Sequence, residues 1–352
     1  ATSGALSSAT STSFTVSAAA AATMSFQVQP SSVVAGVAIA PAVQVKVADA
    51  LGNGIAGSNV ALALIGTGTL TGAAPVATDG NGLASFSTLS VNLVGAKQLT
   101  ATSGALSSAT STSFTVSAAA AAALSFQIQP SNAVAGVAIA PAVQVKVADA
   151  FGNSVSGSSV ALALIGPGTL TGATPVATDV NGLATFSALS VNLAGAKQLT
   201  ATSGALPSAT STSFTVSAAA AATLSFQVQP SNVVAGVAIA PAVQVKVADT
   251  FGNGVAGSTV ALALIGSGTL TGAAPVVSNV NGLASFSALS ANLIGLKRLS
   301  ATSAALPSAT SASFTVSAAA ATTLSFQVQP SNATAGVAIA PAVQVKVADA
   351  FG

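Results

Sequence analysis

The stretch Val43-Gln44-Val45-Lys46-Val47 alternates strictly, a β-branched valine at each odd position and a polar side chain between. Side chains of an extended chain point to opposite faces with a period of two, so these five residues read as a strand with one buried face. They run into Asp49-Ala50-Leu51-Gly52-Asn53-Gly54. Asp, Gly and Asn either accept positive φ or bond their own backbone, so the strand ends in a turn. The valine alternation returns at Val143, Val243 and Val343. Upstream of it, Ser25-Phe26-Gln27-Val28-Gln29-Pro30 returns as Ser125 to Pro130, Ser225 to Pro230 and Ser325 to Pro330. A fixed period of 100 residues marks a tandem array of equivalent units, each near the commonest domain size.

Within one unit, Met24 to Ala123, further strands are expected. Met24 to Gln29 alternates and is ended by Pro30; Val33 to Ile39 is a short apolar run interrupted by Gly36. Val60 to Ile65 is apolar enough to lie centrally in a sheet, and Leu70 should point inward from a Gly/Thr turn region. Leu83 to Ser87 alternates after the tight turn Thr78-Asp79-Gly80-Asn81-Gly82. Lys97 to Thr102 and Thr110 to Val116 complete the set. About seven short strands with turn signals roughly every ten residues predict an all-β sandwich. Helix is disfavoured by the Thr, Ser, Gly and Val content, and the one helix-like run, Ala18 to Ala22, is far below the ~12–15 residues an isolated helix needs.

Composition excludes several function classes. Only 4% of the 352 residues are charged, against about 25% in an average domain. All six acids are Asp, and Glu, His, Cys, Trp and Tyr are absent. The net charge of +2 is carried by dispersed lysines, with only Lys297-Arg298 adjacent, so no basic patch for nucleic acid is present. The absence of Cys excludes a disulfide scaffold and thiolate metal sites. Hydropathy is high, yet the most apolar stretch, Val33 to Val47, contains Gly36, Pro41, Gln44 and Lys46, which does not suit a spanning helix. An outer-membrane barrel would want Trp and Tyr girdles. No membrane insertion of this segment is expected.

Candidate chemistry is sparse. Gly66-Thr67-Gly68-Thr69-Leu70-Thr71-Gly72 has neither the spacing nor the following Lys of a phosphate loop and reads as a turn. Asp79-Gly80-Asn81-Gly82 offers one carboxylate where calcium wants six to eight oxygens, and Ser278-Asn279 loses even that one. General acid–base catalysis needs groups titrating near neutrality, and none is present. Asn332-Ala333-Thr334 is a glycosylation-like triplet in one copy only. The expectation is a non-enzyme with no catalytic, cofactor-binding or metal residues.

Three segments carry a family pattern: Asp149-Ala150-Phe151-Gly152-Asn153-Ser154-Val155-Ser156-Gly157, then Thr178-Asp179-Val180-Asn181-Gly182-Leu183-Ala184, then Gly195-Ala196-Lys197-Gln198-Leu199-Thr200-Ala201-Thr202. With the leading Phe126-Gln127-Ile128-Gln129-Pro130, they make the repeat similar to bacterial immunoglobulin-like domains of the invasin/intimin type, found in large bacterial surface proteins and adhesins. Gly54, Ser154 and Gly254 depart from the Pro frequent in that family. The bridging Cys pair, core Trp and corner Tyr of antibody domains are missing, so Val, Leu, Ile, Ala and Phe must form the core. Some surface immunoglobulin-like folds carry an internal Lys–Asn or Lys–Asp isopeptide bond beside a neighbouring acid. With no Glu here, Lys46 near Asp49 reads as a solvated lysine.

The resemblance implies a rod-like array of immunoglobulin-like β-sandwiches on the outside of a bacterial cell. The expected organisation is the end of a preceding repeat over 1–23, with its C-terminal strands; domains over 24–123, 124–223 and 224–323; and the first strands of a following repeat over 324–352. The sequence starts and stops within a motif, as a window on a longer array would, with any anchor outside it. The Ala-rich connector Ser117 to Ala122 is expected to make a stiff junction, since flexible linkers are usually Gly/Ser-rich or charged. The strand Ser111 to Val116 shows only Ser and Thr on its polar side, without the charges that guard sheet edges. Two roles follow: a filament in which copies of the chain associate, or the stalk of an adhesin. Direct glycan or receptor binding is a weaker third, because Trp and Tyr for sugar stacking are missing. Self-association through these low-charge faces is the expectation taken forward, with composition bias of a large secreted protein as the alternative account of the low charge.

Overall fold

The computed structural model describes residue 1 and residues 3–352; residue 2, in the expected 1–23 segment, lies outside the described residues. The first complete set of strands is β1 (Thr23–Val28), β2 (Val33–Val34), β3 (Val43–Ala48), β4 (Asn59–Ile65), β5 (Leu70–Thr71), β6 (Val76–Ala77), β7 (Leu83–Phe86), β8 (Ser90–Val91), β9 (Gly95–Thr102), β10 (Ala109–Thr110) and β11 (Phe114–Ser117). They form one sheet ordered β1-β3-β7 and another ordered β2-β11-β9-β4-β6, with β10 on β9 and a small β5-β8 ladder. The set recurs from β12 (Ala121–Ile128) to β22 (Phe214–Ser217) and from β23 (Thr223–Val228) to β33 (Phe314–Ser317). Two strands, β34 (Thr323–Val328) and β35 (Gln344–Ala348), pair after it. No helix occurs among the described residues.

Two facing sheets whose chain passes repeatedly between them make an immunoglobulin-like β-sandwich. The valine alternation sets its inner face: Val43, Val45 and Val47 are fully buried, while Gln44 and Lys46 are half-buried on the other side. Opposite them the larger sheet contributes Val60, Leu99, Phe114 and Val116. Full burial of such side chains stabilises by about 1.5–3 kcal/mol each. Ala119 packs against the first core and Ala121 against the second. The chain therefore crosses from one sandwich to the next within Ala118 to Ala120.

Three expectations are corrected. Residues 3–22 form no strand, although C-terminal strands are expected over 1–23. Phe14 and Val16 are 83% and 84% exposed, because among the described residues no strand pairs beside them as β9 does beside Phe114 and Val116. The strand expected over Thr110 to Val116 is divided. The Ser111 hydroxyl accepts from Leu99 N at 2.8 Å and donates to Thr112 O at 2.8 Å, so the side chain replaces part of the ladder. Finally, the last strand has no bare edge. β2 pairs with β11 in parallel, Val33 beside Val116. Two further amides are taken by side chains: Thr115 N donates to Ser32 Oγ at 3.0 Å and Thr112 N to Gln29 Oε1 at 2.9 Å. The chain does this by switching sheets after Pro30, which is itself buried.

Candidate functional site: the junction between successive units

The turn after the valine strand is built by one carboxylate. Asp149 Oδ1 accepts from Phe151 N and Asn153 N, both at 2.9 Å. Its Oδ2 accepts from Asn153 Nδ2 at 2.9 Å and from Ala119 N in the connector, also at 2.9 Å. Among the described residues no lysine or arginine bonds this buried carboxylate; N–H donors hold its charge, a charge-assisted arrangement about twice as strong as neutral bonds. Burial acts to raise the pKa of Asp149 and of Asp249, but the Asn153 and Asn253 amides and the main-chain donors outweigh it, and both are lowered. Asp49, held first by the Asn53 side chain and then by Ala19 N, is lowered to about 2.

The turn also reaches backward. Asn153 is only 5% exposed. Its Oδ1 accepts from Val94 N at 3.1 Å, and its Nδ2 donates to Asn92 O at 2.8 Å, so one side chain closes on the preceding sandwich. Asn253 repeats this on Ala194 N at 2.8 Å and Asn192 O at 2.9 Å. Beside it the Phe151 ring lies on Gly36, where a Cβ would stand 2.3 Å from Cζ. Gly36 also has φ +76°, a region costly to other residues, so both space and backbone call for glycine. Phe251 covers Gly136 and Phe351 covers Gly236 in the same way.

The receiving loop is braced from inside its own sandwich. Lys97 is 3% exposed; its Nζ donates to Val94 O and to Thr67 Oγ1, both at 3.1 Å. Asn92 Oδ1 accepts from Thr69 N at 2.7 Å. The loop that carries donor and acceptor at the junction is thus held by bonds within its own sandwich.

The segments weighed for chemistry fall elsewhere. Asp79 Oδ1 accepts from Asn81 N at 2.8 Å and Leu83 N at 2.9 Å, and Asn279 does the same for Asn281 N and Leu283 N, so this loop needs an acceptor rather than a charge. Lys46 Nζ donates to Gly52 O at 3.1 Å, inside the turn. Among the described residues no group of three or more His, Cys, Asp or Glu side chains comes together, and no helix is long and apolar enough to cross a membrane. Sequence reading recognises Asp149 to Asn153 as a turn but not as a contact between units. The available signal is Phe151, a large apolar side chain in an otherwise polar turn.

No protein-family model matches the chain, and no curated protein matches it. Among solved structures the chain is similar to the Escherichia coli adhesin FdeC, at 20% identity and a TM-score of 0.41, over 86% of this chain and all of that one. It is similar to invasin, a bacterial integrin-binding protein, at 15% identity and a TM-score of 0.40, over 87% of this chain and 62% of that one. For InvD of Yersinia pseudotuberculosis the values are 14% identity and a TM-score of 0.38, over 83% and 96%.

Proposed function

We propose that the chain is a non-catalytic structural segment of a bacterial cell-surface protein, a stiff tandem spacer that holds a binding domain away from the cell. Its units are the hundred-residue repeats, with limits in the alanine connectors. The supporting observation is the backward-reaching turn. A flexible tether needs no side chain that closes on its neighbour, whereas Asn153 and Asn253 each bind the preceding sandwich through two hydrogen bonds. Nearest-neighbour contacts of this kind set the stiffness of a repeat array.

Association of copies into a filament is the second reading. It is favoured by the outward face of the larger sheet, where Ala63, Ile65, Ala96 and Thr115 stand exposed without a charge among them. Negative-stain microscopy and sedimentation of the purified chain separate the two. The spacer reading expects single thin particles with a narrow distribution of junction angles. Freely jointed beads would refute it, and concentration-dependent bundles would favour the filament.

A further inference from the structure

The asparagine of the backward-reaching turn is followed by glycine at Asn53 and Asn253 and by Ser154 at Asn153. Asn-Gly is the dipeptide most open to spontaneous deamidation, because glycine has no Cβ to keep its amide nitrogen away from the preceding side chain. We infer that Asn253-Gly254 is a deamidation site closed by docking: water converts it only while the junction is open, and the product keeps the junction open. The inference rests on the geometry of the junction and not on the spacer reading.

In the reaction Gly254 N, its proton taken by hydroxide, attacks Asn253 Cγ. A C–N bond forms, the bond from Cγ to Nδ2 breaks, and Nδ2 leaves as ammonia with a proton from water. Water then opens the cyclic succinimide to aspartate or isoaspartate. The sum is an amide and water giving a carboxylate and ammonium, with no change of oxidation state.

The nucleophile stands free of the ladder. Gly254 faces Ala248 in an antiparallel bridge whose bonds are made by the flanking residues, Asp249 N to Asn253 O and Val255 N to Val247 O, both at 3.0 Å. In a pair of this kind the facing residues do not exchange their own N–H bonds. Gly54 faces Ala48 in the same way. The remaining Asn-Gly pairs differ. Gly82 N, Gly182 N and Gly282 N donate to the carbonyls of Asp79, Asp179 and Asn279 at 2.9, 2.9 and 2.8 Å, which withholds the nucleophile although Asn81, Asn181 and Asn281 are exposed.

At Asn253 the preceding sandwich withholds the other reactant. Nδ2 donates to Asn192 O at 2.9 Å and to Asp249 Oδ2 at 2.8 Å, while Oδ1 accepts from Ala194 N at 2.8 Å. With both ends of the amide bonded, Cγ cannot turn toward Gly254 N. Asn53 is exposed and its side chain bonds only Asp49 among the described residues. An aspartate at position 253 has no hydrogen to give. Its oxygens would meet Asp249 Oδ2 and Asn192 O, acceptor against acceptor, so the junction does not close again.

The test is incubation of the whole chain in mildly alkaline buffer, each Asn-Gly followed by peptide mass mapping. Leu51 to Ile55 and Phe251 to Val255 differ in sequence, so the two sites are told apart. Asn53 should deamidate about tenfold or more faster than Asn253, and faster than Asn81, Asn181 and Asn281. Gly54→Ser, which gives the second unit's dipeptide, should abolish the fast reaction. Phe251→Ala removes the ring over Gly136 and should bring Asn253 toward the rate of Asn53 while speeding exchange of the Ala194 amide. Gly136→Ala, whose methyl would stand 2.4 Å from that ring, opens the same junction by a second route. Asn253→Asp should speed Ala194 exchange about tenfold or more. Equal rates at Asn53 and Asn253 in the unaltered chain overturn the protection, as does faster Ala194 exchange without faster loss of Asn253. An Asn253→Asp junction as protected as the parent's overturns the claim that the product holds it open.

Discussion

Replacing Asn153 by Ala removes three bonds made by one buried side chain: to Asn92 O, from Val94 N, and to Asp149 Oδ2. Two of them cross to the preceding unit. A neutral hydrogen bond contributes about 0.5–1.5 kcal/mol net, and a buried group left unpaired costs about 1–3 kcal/mol. Asn92 is half-buried and Val94 partly exposed, so water replaces some of what is lost. Docking at this junction should weaken by about 2 kcal/mol, near 30-fold in the closed-to-open ratio at about 1.4 kcal/mol per tenfold. Hydrogen exchange reads it directly, because the Val94 amide is protected by Asn153 itself. The receiving segments Asn92-Leu93-Val94 and Asn192-Leu193-Ala194 differ in sequence, so mass spectrometry tells them apart. The Val94 amide should exchange about 30-fold faster in Asn153→Ala, and the Ala194 amide should not change. Asn53→Ala is the control, since the exposed Asn53 side chain bonds only Asp49 among the described residues. Unchanged exchange at Val94, or an equal rise at Ala194, would refute the junction as drawn.

Acid should act through the turn carboxylates. Asp49 is lowered from 3.8 to about 2, and Asp149 and Asp249 are lowered as well. A carboxylate whose folded pKa lies below its unfolded one lends stability that is complete above the unfolded value and lost as pH falls toward the folded one. The melting temperature should stay level from neutral pH to about 4 and drop below that, and Asp149→Asn should blunt the drop; a melting temperature that rises on acidification contradicts this. Lys97→Ala removes a buried stem and leaves Val94 O without its internal donor. It should cost about 2–4 kcal/mol, measured by urea denaturation as a lower midpoint at unchanged slope.

Much of one sandwich is legible because it is local. Val43, Val45 and Val47 alternate with Gln44 and Lys46 for a reason that lies wholly within five residues, and the buried face follows the pattern. The Asp79 and Asp149 turns are legible for the same cause, since their carboxylates bond the chain two and four residues on. The short strands β2, β6 and β8 are two residues each and have no period to detect. Ser111 looks like one more strand residue until Leu99 is placed beside it.

The cover of the last strand and the junction lie beyond sequence reading for a different reason. Gln29 meets Thr112 across 83 positions of the chain, and Asn153 meets Asn92 across 61. No local preference encodes such distances; they arise when the sheets close and bring strand ends together. The residue order alone therefore establishes repeated, one-sided strands joined by Asp-Gly-Asn turns. That the final strand is covered, and that the Asp149 and Asp249 turns grip the units before them, emerges only on packing, because each polar group must find a partner wherever the folded chain provides one.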